Sequence, residues 1–140
     1  MLDMADADAE SYFVQDIAHE LQGNTWRWTG KRPTVRLHLN TRQNLLYSID
    51  FAIAGSTFAQ TGPVTLSFFV NDHLLDRVRY ASEGRRRFQK AVPAEWLVPD
   101  EDATLAAEID KVWTPAPTVE ARLGFILVSL GFEKQRSEPK

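Results

Sequence analysis

Apolar and polar residues alternate with period two in one segment after another, and that alternation limits what this chain can become. In residues 33–40, Val35, Leu37 and Leu39 alternate with Arg36, His38 and Asn40. Successive side chains of a strand point to opposite sides, so this is the pattern of a strand with one buried face. Residues 45–53 repeat it with Tyr47, Ile49, Phe51 and Ile53 on one side. Residues 64–71 set Val64, Leu66, Phe68 and Val70 against Thr65, Ser67 and Asn71. Asn71-Asp72-His73 then reads as a hairpin turn, because Asn and Asp tolerate left-handed backbone angles. A return strand carries Leu75, Val78 and Tyr80, and Ser82-Glu83-Gly84 turns the chain again. Residues 86–92 present Phe88 and Val92 on one face, residues 93–97 suit a tight or single helical turn, and residues 103–109 alternate once more. Residues 123–132 are apolar on both faces and belong at the centre of a sheet.

About seven short strands separated by Gly, Pro, Asn and Asp indicate an all-β fold, an antiparallel β-sandwich or barrel. Only residues 10–21 break the period. Phe13, Ile17 and Leu21 recur there at four-residue spacing beside Val14 and Ala18, ahead of Gly23-Asn24. That is one face of a short N-terminal helix, although irregular coil crossing one end of a sandwich fits equally well. At 140 residues the chain has the size of one domain. The expected division is a flexible acidic lead-in over 1–10, a sandwich over 11–133 and a flexible charged tail over 134–140.

Composition removes several functions. With no cysteine there are no disulfides, thiolate metal sites or cysteine nucleophiles. Lack of cysteine fits a reducing compartment, and the acidic start is unlike a secretory signal, so a cytoplasmic location is expected. A net charge of −3 gives no strong field toward nucleic acid or a membrane surface. No apolar run is long enough to span a bilayer. His19, His38 and His73 form no metal-ligand spacing, and no nucleophile elbow, P-loop or dinucleotide turn is present. Scattered acids such as Asp50, Asp76 and Glu108 have no local signature of a glycosidase pair. No catalytic residue, metal or cofactor is therefore expected.

Two features carry chemistry. Arg77, Arg79, Arg85, Arg86, Arg87 and Lys90 either form a cationic strip on paired strands, suited to phosphate, sulfate or uronate, or a solvated face balanced by Asp76 and Glu83. The four tryptophans, Trp26, Trp28, Trp96 and Trp113, either stack on sugar rings or close the ends of the sandwich. Trp26 and Trp28 share one face of an extended segment, with Arg27 opposite.

Trp26-Arg27-Trp28-Thr29-Gly30, the hairpin segment Phe69-Val70-Asn71-Asp72-His73-Leu74-Leu75, and Trp113-Thr114-Pro115-Ala116-Pro117 followed by Arg122-Leu123-Gly124-Phe125 occur in this order. Together they resemble the jelly-roll, galactose-binding-like accessory domains of bacterial glycosyltransferases and other polysaccharide-synthesis proteins, over about residues 20–133. That resemblance implies a non-catalytic jelly-roll linked to carbohydrate, with a sugar or a glycosyltransferase as partner. The family places an Asp before the Arg-Leu-Gly, where this chain has Glu120-Ala121. Trp26, Trp113 and Arg122 are the candidate ligand-binding residues. Gly124 is expected where another backbone passes close by, with Arg122 bonded to carbonyls or a carboxylate at the rim. The competing reading is a homo-oligomerisation or partner-docking domain, and an enzyme of cupin or glycosidase type comes third.

Overall fold

The computed structural model describes residues 1–116 and 122–135. Its strands are Leu2–Asp3 (β1), Phe13–Ile17 (β2), Arg27–His38 (β3), Leu45–Ile53 (β4), Val64–Val70 (β5), His73–Tyr80 (β6), Gly84–Ala91 (β7), Asp102–Ile109 (β8) and Ile126–Lys134 (β9). One α-helix, Gly55–Thr61 (α1), and two 3-10 turns, Ala9–Tyr12 and Ala94–Trp96, complete the described elements.

All pairings are antiparallel, and the hydrogen-bonded path runs β6-β5-β8-β3-β9-β4-β7. Two sheets share that path. The first is β3-β8-β5-β6, with β2 on the far side of β3; the second is β9-β4-β7, with β1 on β9. Strand β3 belongs to both, because Arg27 and Trp28 pair with β9 whereas residues 34–38 pair with β8. Apart from the β5–β6 hairpin, each link from β3 to β9 crosses between the sheets, which is the winding of a jelly-roll. The protein is an all-β sandwich of this type.

Period-two faces meet in the middle. Tyr47, Ile49, Phe51 and Ile53 of β4 lie against Val64, Leu66, Phe68 and Val70 of β5, and against Ala103, Leu105, Ala107 and Ile109 of β8, all buried. Burying each larger side chain contributes about 1.5–3 kcal/mol. Phe68 stacks on Phe88 of the opposite sheet at 4.1 Å between ring centroids. The Tyr47 hydroxyl donates to the Ala106 carbonyl at 2.8 Å, so the one polar group in this layer is satisfied. Asn71 and Asp72 both take positive φ, 47° and 65°, as a two-residue hairpin loop requires. The Asn71 side chain also accepts the Thr104 N–H on Oδ1 at 2.9 Å and donates from Nδ2 to the Trp96 carbonyl at 2.8 Å.

Two expectations need correction. Residues 10–21 form a 3-10 turn followed by strand β2, not a helix. Phe13, Gln15 and Ile17 pair with Val35, Thr34 and Thr29, with register shifts on either side of Gln15; the apolar spacing reads as four because the strand position between Phe13 and Ile17 is the exposed, polar Gln15. Asp16 sits within the second shift at φ 59°. The lead-in is likewise part of the fold: Leu2, Met4 and Ala9 are core residues, and β1 pairs with Leu130 and Ser129. Lys134 closes β9, so the tail begins later than expected, and residues 136–140 lie outside the described residues, as do Pro117, Glu120 and Ala121.

Of the two readings of the arginines, the structure fits the solvated face and not the single cationic strip. Strands β6 and β7 pair with β5 and β4, at opposite ends of the path, and not with each other. The cationic residues are consequently divided between two sheets. Arg77 donates to Ser67, Arg86 to Ser82 and the Glu83 carbonyl, and Arg87 to Glu133. Lys90 meets Asp76 at 3.2 Å across the open side between the sheets.

Candidate functional site

The Trp26-Arg27-Trp28 segment opens β3, and extended geometry sends its side chains alternately to opposite faces. Arg27 points inward and is 6% exposed. Its Nε donates to the Met4 carbonyl at 3.1 Å and its Nη1 to the carbonyls of Ala18 and His19. Its guanidinium also lies over the Phe13 ring. Glu10, 3.9 Å away, pairs in turn with His19. Buried Arg27 thus fastens the N-terminal segment to β3.

The indoles of Trp26 and Trp28 occupy the other face. Trp28 contacts Trp26 edge-on at 5.6 Å and Trp113 edge-on at 6.1 Å, with interplanar angles of 80° and 77°. All three rings are half-buried. They form a row with Trp28 at its centre, a favourable aromatic geometry.

Helix α1 anchors one end of the row. Buried Thr57 accepts the Trp113 indole N–H at 2.9 Å and donates its own hydroxyl proton to the Gly124 carbonyl at 3.1 Å. Trp113 and Leu123 form an antiparallel bridge. Gly124 continues this arm directly over β3: a Cβ there would sit 2.5 Å from the Gly30 carbonyl oxygen. The close backbone approach expected of Gly124 is therefore present, and its partner is β3.

A groove of about 270 Å³ lies beside Trp28, lined by Asp16, Thr29, Gly30, Arg122 and Leu123 among others. The Asp16 carboxylate accepts the Arg32 backbone N–H at 3.0 Å. It rests over Gly30, where a Cβ would come within 2.9 Å of it. Arg122 is exposed, and no hydrogen bond ties its guanidinium to another described residue. The rim anchoring expected of Arg122 is therefore absent among the described residues.

The structure brings Trp26, Trp113 and Arg122 into one region. Of these only Arg122 lines the groove; Trp26 and Trp113 flank Trp28, which does line it. Sequence alone does not mark Asp16 and Gly30 as site residues, since an isolated Asp and Gly fourteen positions apart have no local signature. Trp96 lies elsewhere, stacked at 4.8 Å on His73 beside the β5–β6 hairpin.

A larger cleft of about 550 Å³ lies against the N-terminal segment, with Leu2, Asp6, Tyr12, His38, Phe132 and Lys134 in its lining. His38 and Asp102 are cross-strand neighbours and meet there at 3.2 Å, both more than half exposed. No group of three or more His, Asp or Glu placed to hold a metal occurs among the described residues. No described helix is long and apolar enough to cross a membrane.

No protein-family model and no curated protein matches the chain. Among solved structures it is similar to part of dimeric latent PorU from Porphyromonas gingivalis, at 18% identity and a TM-score of 0.42. The match covers 88% of this chain and 12% of that one. A likeness at that level carries no argument about fold or function.

Proposed function

We propose that this protein is a non-catalytic carbohydrate-binding or accessory module, with the Trp28 groove as its binding site. The observation that carries the reading is the placement of Trp28 and Arg122 on one groove, with Trp26 and Trp113 edge-on to either side of Trp28. Sugars present apolar C–H faces that stack on indoles, and hydroxyls that bond to charged side chains. Asp16 and Arg122 supply an acceptor and a donor on the same groove.

The resemblance to accessory domains of bacterial glycosyltransferases points the same way and implies a role beside polysaccharide synthesis. A cysteine-free sequence suits a reducing compartment, the cytoplasm. The test is calorimetric titration, or a glycan array, with the intact protein across neutral and acidic sugars. Saturable binding weakened by Trp28→Ala, Trp113→Ala or Arg122→Ala supports the assignment. A flat response to every glycan removes it.

A further inference from the structure

We infer that the Asp16–Trp28–Arg122 groove takes one neutral hexopyranose ring at the end of a glycan, and neither a uronate nor the interior of a polysaccharide. The inference rests on the carbohydrate reading above and sharpens it to a ligand class.

Size limits the occupant first. A volume of about 270 Å³ falls below the roughly 300–1,000 Å³ of pockets that enclose drug-sized ligands. The space beside Trp28 is thus sized for about one sugar ring. The indoles limit it further. A surface that binds the flat side of a long chain needs coplanar aromatic rings. Here Trp28 stands at 80° to Trp26 and 77° to Trp113, so neighbouring indoles present no common plane. Only Trp28 faces the groove.

Charge sets the class. Asp16 and Arg122 line the same groove, yet no ion pair joins them among the described residues. A hydroxyl group both donates and accepts. Neighbouring hydroxyls of one neutral sugar therefore serve both groups, donating to the carboxylate and accepting from the guanidinium. A uronate satisfies Arg122 but sets a second negative charge beside Asp16, and like charges at close range cost binding energy.

Asp16 is also preset for this work. Its left-handed backbone (φ 59°), its bond from the Arg32 N–H and the missing side chain of Gly30 together fix its carboxylate over the groove. A preorganised acceptor loses little freedom when a ligand arrives.

The experiment is an NMR titration of the intact protein, following the Trp28 indole N–H and the Asp16 amide. Ligands are the methyl glycosides of neutral hexoses, the matching uronates, and an oligosaccharide ending in the best hexose. The expected result is saturable shifts with at least one neutral methyl hexoside and an affinity little changed by the longer chain. The matching uronate should bind more weakly. Asp16→Asn, which keeps a residue tolerant of the left-handed conformation, and Arg122→Gln should each weaken binding about tenfold, the loss of one charge-assisted hydrogen bond. Binding of uronates alone, of long chains alone, or unchanged binding by both variants overturns the inference and leaves the carbohydrate reading standing. No shift with any sugar overturns both.

Discussion

Arg27 donates from Nε to the carbonyl oxygen of Met4, 3.1 Å away and buried. On the face opposite Trp26 and Trp28, this cation is the bolt between the N-terminal segment and the strand shared by both sheets. The Ala18 and His19 carbonyls accept from the same guanidinium.

Replacing Arg27 with Met keeps the bulk and removes every donor. Met4, Ala18 and His19 carbonyls then lose their charged partner, at a cost of about 3 kcal/mol. Urea denaturation should show the lowered midpoint, and amide exchange should quicken first across residues 2–19. An unaltered midpoint refutes the bolt.

Gly124→Ala and Gly30→Ala should behave differently. The added Cβ at 124 meets backbone, the Gly30 carbonyl, at 2.5 Å. Neither strand can yield cheaply, so a loss of about 2–3 kcal/mol is expected. The Cβ at 30 meets the Asp16 side chain at 2.9 Å, which displaces the carboxylate. That variant should keep more of its stability while its sugar response falls. Equal melting temperatures for the two variants contradict this.

Thr57→Val removes a hydroxyl that both accepts from Trp113 and donates to Gly124. The expected penalty is about 1–2 kcal/mol, with a changed chemical shift for the Trp113 indole N–H. Thr57→Ser should restore that shift. A Trp113 signal identical in wild type and Thr57→Val rules out the anchoring role.

Burial, and then the neighbouring Tyr80, push the Tyr47 hydroxyl well above its ordinary pKa near 10. The unfolded chain therefore ionises first. Stability from this group is intact below about pH 10 and declines as pH rises from there through the raised value. Tyr47→Phe should cost about 1 kcal/mol at neutral pH through the lost bond to Ala106. It should also flatten the alkaline limb of the stability profile. An alkaline limb as steep as wild type would show that Tyr47 contributes none of it.

Much of the sandwich is readable in the sequence because its strands obey one period. In residues 47–53 and 103–109 every second position is apolar, and all of these inward positions are buried. Two-faced apolarity places β9 centrally, and it lies between β3 and β4. What escapes is whatever depends on partners remote in the chain. In β2 the polar Gln15 between Phe13 and Ile17 leaves a four-residue apolar spacing that imitates a helix until β3 pairs with it. Pro33 hides the first half of β3; it falls between Thr29 and Thr34, opposite the second register shift of β2, where the ladder to β2 is already irregular. Helix α1 has seven residues, too few for periodicity, and contributes chiefly through Thr57. Nothing local marks Arg27 as buried; its role comes from the carbonyls of Met4, Ala18 and His19, remote in the chain. The groove was half legible: aromatic and cationic residues announce themselves, whereas Asp16 and Gly30 acquire meaning only from each other.

Because β3 is stitched to β9 at one end and β8 at the other, it acts as the spine of a book whose covers are the two sheets. The opposite margin, between β6 and β7, lacks any such stitching in the pairing path. Heat, force or denaturant should part the covers there first, at the Asp76–Lys90 contact. Trp28 and Gly30 lie on the spine itself, so their side of the molecule stays assembled longest.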